Sequence, residues 1–162
     1  DMLNLTRKTD YALVALAYLA QRREQGDAAV SARHIAEQFG LPTALLMNIM
    51  KELSHAEIVS STRGMHGGYS LAADPADVSI ERIITAMEGP IRLTQCADHH
   101  DQACDETSDT ECTLLSCCPI REPIRRLHNR LQDFLAGVTL ADLLDAKVDV
   151  TLQRVGVEAG GK

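Results

Sequence analysis

Apolar residues in the first 56 positions recur at helical spacing and predict three consecutive α-helices. The first is expected over residues 6–23 and is interrupted by Gln25-Gly26-Asp27. Its buried side should contain Tyr11, Leu13, Val14, Leu16, Ala17, Leu19 and Ala20.

The next two predicted helices are short and separated by a tight turn. Ser31 can cap a helix over residues 32–39 that ends at Gly40-Leu41-Pro42, and Thr43 can cap a helix over residues 44–56. The expected buried residues are Ile35, Ala36 and Phe39, then Leu45, Leu46, Ile49, Met50 and Leu53. Two such helices around a glycine turn are typical of a helix-turn-helix.

Residues 58–71 have the pattern of a β-hairpin. A β-branched run leads into a turn with three glycines, and Tyr69 and Leu71 alternate on the return. A hairpin that follows a helix-turn-helix is a wing, and Arg63 at its base could reach phosphate or a narrow minor groove. Two core helices joined by glycine are the alternative, which the adjoining wing disfavours.

Two further helical patterns follow. Ser79 can cap a helix over residues 80–88 that ends at Gly89-Pro90, and a long helix begins near Pro119. The apolar residues of the long helix alternate in steps of four and three, namely Ile120, Ile124, Leu127, Leu131, Phe134, Leu135 and Val138. This seam predicts helix pairing in a homodimer, with an intramolecular core helix as the alternative. Thr139 can cap a last short helix.

The composition agrees with a mainly α fold. The 162 residues are 45% hydrophobic but only 3% aromatic, without Trp, which favours packed helices over a sandwich or barrel. We predict a winged helix-turn-helix domain over residues 2–90 and a cysteine-rich loop over residues 91–118. A dimerisation helix with a short terminal helix should occupy residues 119–145, and a flexible tail residues 146–162.

The charge is unevenly distributed. The net charge of −7 argues against a nucleic-acid partner, because phosphate neutralisation supplies most non-specific affinity. However, residues 1–70 contain seven Lys or Arg and seven Asp or Glu, against nine and sixteen in residues 71–162. The neutral first part can therefore still present a basic face to DNA.

Five cysteines lie between Cys96 and Cys118 together with six carboxylates and no Lys or Arg. No apolar segment typical of a signal peptide or a membrane span precedes them, so we expect a cytoplasmic protein. Clustered thiols in that compartment more often bind metal or undergo redox chemistry than form structural disulfides. Gaps of seven, seven and four residues disfavour zinc, whose sites usually begin from closer cysteine pairs.

These residues together resemble the winged-helix iron–sulfur transcriptional regulators, the IscR, NsrR and SufR-like family, with the Suf-operon regulators nearest. The resemblance covers about residues 2–145. The matching segments are Arg7-Lys8-Thr9-Asp10-Tyr11-Ala12-Leu13, the helix-turn-helix through Ile58-Val59, Arg63 to Leu71, Met87-Glu88-Gly89-Pro90 and Cys118-Pro119-Ile120-Arg121. It implies a homodimer that presents two winged domains to a palindromic operator, with half-sites roughly 34 Å apart.

The same resemblance implies a 2Fe-2S or 4Fe-4S cluster on three loop cysteines with a fourth, non-cysteine ligand. Cys96, Cys104 and Cys118 match the three cysteines, and Asp10 matches the fourth ligand. Asp10 could instead serve only as a favourable charge in the first turn of its helix. Cys112 and Cys117 are surplus, and could be alternative ligands or form a reversible disulfide.

The exposed face of the third helix and the wing are the expected DNA contacts. The candidates are Thr43, Ala44, Met47, Asn48 and Lys51 on the helix, Arg63 and His66 on the wing, and Arg7 and Lys8 at the start of the first helix. The amide of Asn48 can make paired hydrogen bonds to adenine, while Lys51 is as well suited to phosphate.

The sequence therefore predicts a transcriptional regulator that senses cluster status, redox state or nitric oxide, and that controls iron–sulfur assembly or stress genes. We find no enzyme signature. A metal-free thiol-switch repressor is one alternative. A redox or cluster carrier is another, although the wing argues against it.

Overall fold

The computed structural model describes residues 5–26, 29–64, 67–93 and 118–145. Within these ranges the fold is mainly helical with one two-stranded hairpin, as predicted. The elements are α1 (Arg7–Glu24), α2 (Ala32–Phe39), α3 (Thr43–His55), β1 (Val59–Thr62), β2 (Gly68–Leu71), a 3-10 turn (Pro75–Asp77), α4 (Ile80–Glu88), α5 (Arg121–Gly137) and α6 (Leu140–Leu144).

Side-chain caps explain why most helices begin where the sequence predicts. The hydroxyl groups of Thr6, Ser31, Ser79 and Thr139 each accept a hydrogen bond from a backbone amide in the first turn of the helix that follows. At α6 the cap is reciprocal, because the carboxylate of Asp142 accepts from the backbone amide of Thr139 at 2.8 Å. This bond lowers the pKa of the Asp142 carboxyl.

Two local predictions around the helix-turn-helix are wrong. Thr43 does not cap α3: the N-cap is Pro42, which makes no side-chain capping bond, and Thr43 is the first helical residue. Phe39 does not face inward, since 44% of it is exposed. Its ring packs edge-on against Tyr18 of α1, with 5.4 Å between the ring centroids, and this surface contact replaces burial in the core.

The core lies between α1, the helix-turn-helix and α4. Leu16, Leu46, Ile49, Leu53 and Ile83 are completely buried. On α1 the buried face is shifted from the predicted one. The fully buried residues include Thr9, Ala12 and Ala15, whereas Tyr11, Leu13, Val14 and Ala17 are only half-buried.

The hairpin is the predicted wing, and it is tied to the helix-turn-helix. Its strands pair antiparallel, with Val59 opposite Leu71 and Thr62 opposite Gly68. The residue before the cap of α2 extends the pairing, because Val30 and Tyr69 exchange two backbone hydrogen bonds of 2.9 and 2.7 Å. The wing is therefore held against the start of α2 as well as against α3.

The end of α5 returns to the first part of the chain. Ile80 donates a backbone hydrogen bond to Val138, and Leu140 donates one to Val78, both at 2.8 Å. Leu140 is 1% exposed, so the start of α6 belongs to the core. Among the described helices none is long and apolar enough to cross a membrane.

Candidate DNA-reading surface and cysteine segment

The outward face of α3 carries the residues predicted to read DNA. Ala44, Met47, Asn48 and Lys51 are exposed, and Thr43 is half-buried. Their spacing of three and four residues places the exposed four on one side of the helix. The opposite side contributes four buried residues to the core, namely Leu46, Ile49, Met50 and Leu53. We define these outward residues, Thr43, Ala44, Met47, Asn48 and Lys51, as the reading face.

Arg82 of α4 holds the C-terminal end of α3. Its guanidinium donates to the backbone oxygens of Ala56 and Glu57, at 2.7 and 3.3 Å. These oxygens lie just past the end of α3, where carbonyl groups lack intrahelical partners and a cation is favourable. Glu57 has a φ of 56°, which turns the chain sharply from α3 into the wing. Sequence reasoning did not find Arg82.

Arg63 is exposed and directly follows β1, so it lies in the turn of the wing and not at the base expected from sequence, next to Gly64 with a φ of 118°. Gly68 is required by packing rather than by φ, because a Cβ there would lie 2.5 Å from the carbonyl carbon of Val30. The other predicted wing contact, His66, lies outside the described residues. The described part of the wing thus presents one exposed cation, Arg63.

Arg7 and Lys8, both predicted to contact DNA, have different surroundings. Arg7 is exposed. The ammonium of Lys8 donates to the backbone oxygen of Met87 at 2.9 Å and forms an ion pair with the carboxylate of Glu52 on α3. Lys8 is therefore engaged within the chain, in a contact that joins α1, α3 and α4.

A carboxylate beside Lys8 fixes the start of α1. Oε1 of Glu88 accepts hydrogen bonds from the backbone amide of Thr6 at 3.2 Å, from the Thr6 hydroxyl at 2.6 Å and from the hydroxyl of Thr9. The bond from the Thr6 hydroxyl, followed by that from Thr9, lowers the pKa of the Glu88 carboxyl. Glu88 is the last residue of α4, directly before the Gly89-Pro90 segment that leads toward the cysteines.

Two of the predicted cluster ligands lie in the described part of the chain. Cys118 is half-buried with a free thiol, and Asp10 is exposed in the first turn of α1. A thiol and a carboxylate that are both accessible fit the soft and hard donors expected of an iron–sulfur site with one oxygen ligand. Cys96, Cys104, Cys112 and Cys117 lie outside the described residues. Within the described ranges no three His, Cys, Asp or Glu side chains form a metal-binding group.

The long helix α5 presents an apolar stripe to solvent. Ile120, Leu127 and Phe134 recur every seven residues and are 60%, 55% and 44% exposed. Leu131 and Leu135, on the adjoining face of the helix, are partly buried and pack against the core. The predicted seam is thus divided, with one part packed against the core of the chain and the other, Ile120, Leu127 and Phe134, exposed. We call this exposed part the α5 stripe.

A family model described as Rrf2, an iron-dependent transcriptional regulator, matches residues 5–146. Among curated relatives, an rrf2-like HTH-type transcriptional regulator of Rhodobacter capsulatus is 34% identical over 144 residues, which cover 88% of this chain and 93% of the relative.

Solved structures show the same fold. CymR, described as the global cysteine regulator of B. subtilis, superposes with a TM-score of 0.62 at 26% identity, over 88% of this chain and 97% of that one. T. potens IscR superposes with a TM-score of 0.58 at 27% identity, over 88% of this chain and 87% of that one.

Proposed function

Because the chain belongs to the Rrf2 family of transcriptional regulators, we propose that it binds operator DNA as a homodimer and that its cysteine segment senses iron–sulfur status, redox state or nitric oxide. The matched relatives are regulators and not enzymes, in agreement with the absence of an enzyme signature in the sequence. The observation that carries the DNA-binding part is the reading face of α3, exposed beside a wing that presents Arg63.

The reading face combines one residue suited to bases with one suited to phosphate. The amide of Asn48 can donate to and accept from adenine in the major groove, and Lys51, one turn along, can neutralise a phosphate. Met47 is 46% exposed and offers an apolar contact for a thymine methyl group. Arg63 of the wing and Arg7 of α1 would flank this contact on the DNA backbone, together with Thr43 and Ala44 at the start of α3. His66 stays a further candidate from the sequence.

A selection from random duplexes tests this interface. The wild-type chain should enrich an inverted repeat whose half-site centres lie about one helical turn apart. In the selected operator, Asn48→Ala should relax the preference at one base pair, whereas Lys51→Met should weaken binding to all duplexes and reduce the salt slope by about one. A wild-type chain that enriches no sequence would exclude the proposal.

For the sensing part we propose Cys96, Cys104 and Cys118 as the thiolate ligands and Asp10 as the fourth ligand, with Cys112 and Cys117 as alternatives. A bound cluster would supply a redox-active centre whose charge and integrity respond to oxidants or nitric oxide. Cys118 is separated from α5 by only Pro119 and Ile120, and Asp10 lies on α1. These ligands would therefore connect the start of α5 to the helix that contacts α3.

The switch we propose is a population shift between two arrangements of the reading faces. A change in the cysteine segment would favour one distance between the two reading faces of the dimer. If that distance does not match the distance between the half-sites, the operator complex is weaker. Iron and sulfide content with absorption spectra of anaerobically purified protein tests the cofactor. Operator affinity of cluster-loaded and cluster-free protein at one salt concentration tests the switch, and equal affinities would leave the cluster without a regulatory role.

A metal-free thiol switch is the second candidate, favoured by the two surplus cysteines and by the likeness to CymR, described as a cysteine regulator. In this form, two thiols would be oxidised to a disulfide by a peroxide or a disulfide reagent, each losing its proton. Colourless anaerobic protein that contains neither iron nor sulfide, and whose operator affinity changes on oxidation, would favour this candidate over the cluster.

A further inference from the structure

Lys8 lies at a junction between the helix that ends at the cysteine segment and the helix that carries the reading face. Its ammonium donates to the backbone oxygen of Met87, in the last turn of α4, and pairs with the carboxylate of Glu52 on α3. The carbonyl groups in the last turn of a helix lack intrahelical partners, so a cation is well placed there. One side chain thereby ties α1, α3 and α4 together.

Glu52 is in a position to control the orientation of the reading face. It lies one turn beyond Asn48 and directly after Lys51, but it is half-buried on the side of α3 that faces α1, whereas Asn48 and Lys51 are exposed. A rotation of α3 about its axis would move Asn48 and Lys51 relative to base edges and phosphates, and it would also break the contact of Glu52 with Lys8. Arg82 holds only the carbonyl end of the same helix.

The same junction is attached to the cysteine segment. Glu88 accepts three hydrogen bonds from Thr6 and Thr9, on either side of Lys8 in sequence, and Thr9 is completely buried. Glu88 is followed at once by Gly89, with a φ of 85°, and Pro90, where the chain leaves α4. A displacement of the segment beyond Pro90 therefore acts first on the carboxylate that fixes the turn containing Lys8.

We propose that the Lys8–Glu52 ion pair is a positioning contact, which sets the orientation of the reading face and transmits to it the state of the cysteine segment through Glu88. This inference rests on the proposed function, and it assigns Lys8 a role within the protein in place of the phosphate contact expected from sequence. The two roles lead to opposite expectations for Glu52, whose carboxylate would weaken DNA binding if it only added negative charge beside the operator.

A double-mutant cycle with Lys8→Met, Glu52→Gln and the double variant separates these roles. If the pair positions α3, each single change lowers operator affinity about tenfold, and the double variant loses no more affinity than either single variant. The dependence of affinity on salt concentration then stays unchanged. For a phosphate contact, Lys8→Met lowers the salt slope by about one on every duplex, and Glu52→Gln leaves affinity unchanged or raises it. The second pattern overturns the inference. Arg33→Met, which removes an exposed cation of α2 to which no DNA contact is assigned, is the matched comparison for charge loss alone.

The transmission step has its own measurement. We expect the ratio of operator affinities between anaerobically purified and oxidised protein to fall to within about twofold of unity in Lys8→Met and in Glu88→Ala, at temperatures where thermal denaturation shows both variants folded. Retention of the wild-type ratio in both variants overturns the transmission. If the wild-type ratio is itself unity, the proposed sensing role fails, and the double-mutant cycle still decides whether the pair positions α3.

A measurement without DNA covers the remaining case. Should the wild-type chain select no duplex, the proposed function fails, and amide hydrogen exchange of α3 decides the inference alone. Positioning by this junction requires faster exchange across residues 43–55 in both variants. Lys8→Met removes the Lys8–Glu52 restraint on α3, and Glu88→Ala loosens the turn of α1 that holds Lys8. Unchanged exchange in α3 overturns it.

Discussion

The carboxylate of Glu88 links protonation to folding. Its hydrogen bonds from Thr6 and Thr9 hold its pKa below the ordinary value of 4.5. The native state therefore binds fewer protons than the unfolded chain, so this carboxylate stabilises the fold above about pH 4.5, and that contribution is lost as the pH falls through the lowered pKa. We predict that Glu88→Gln reduces the decline of the melting temperature below pH 4.5. Glu37→Gln, on the exposed face of α2, is the control, and an equal decline in both variants would contradict the prediction.

Gly68 is a position where one added methyl group should disturb the wing. A Cβ there would lie 2.5 Å from the carbonyl carbon and 2.6 Å from the carbonyl oxygen of Val30, and backbone atoms cannot rotate away as a side chain can. We predict that Gly68→Ala costs about 1–3 kcal/mol of unfolding free energy, measured by chemical denaturation. Gly137→Ala, with no heavy atom within 4 Å of the added Cβ, should be neutral or slightly stabilising.

At the scale of elements, the end of α3 depends on a side chain from another helix. Arg82 donates to the backbone oxygens of Ala56 and Glu57, beyond the last turn of the reading helix. We predict that Arg82→Met lowers the unfolding free energy by about 1–3 kcal/mol, because the half-buried carbonyl of Ala56 and the exposed carbonyl of Glu57 lose a charged donor. Operator affinity should fall as well. Arg33→Met on the exposed side of α2 is the matched control, and a similar loss in both variants would mean that the cation matters only through net charge.

The elements themselves could be predicted because their signals are local. Ser31 and Ser79 cap α2 and α4 at the predicted residues. The two strands of the wing also pair as predicted. The prediction that Thr43 caps α3 was wrong because Pro42 already supplies the extended residue before the helix. The helix therefore begins at Thr43, one residue before the predicted start. Phe39 was misplaced because its periodicity does not distinguish the core from the surface contact with Tyr18.

Contacts between distant residues could not be predicted in the same way. Lys8 and Met87 are 79 positions apart, as are Thr9 and Glu88, and no spacing rule connects such pairs before the fold is known. The buried His128 on α5 was missed because it lies between exposed residues, Leu127 and Asn129, and an imidazole carries no apolar signal of burial. The choice among five cysteines stays a prediction, since only Cys118 lies in the described part of the chain.

At the scale of the whole molecule, the α5 stripe should determine whether two reading faces act together. Ile120, Leu127 and Phe134 form one line of exposed apolar side chains, at the seven-residue spacing of paired helices. Leu127 is 55% exposed in the single chain, so its replacement removes little from the chain's own core. We predict that Leu127→Glu leaves helicity and the wing intact but converts a dimer into a monomer, because pairing would bury a carboxylate.

The monomer should bind the operator at least about tenfold more weakly than the dimer, since the two half-sites are no longer bound together. Analytical ultracentrifugation measures the first effect and fluorescence anisotropy the second. Asn129→Glu introduces the same side chain two positions away, on the polar side of α5, and should leave both mass and affinity near those of the wild type. If the wild-type chain sediments as a monomer, or if Leu127→Glu remains a dimer, the α5 stripe is not the surface that pairs the reading faces. The spacing of the half-sites must then depend on another contact.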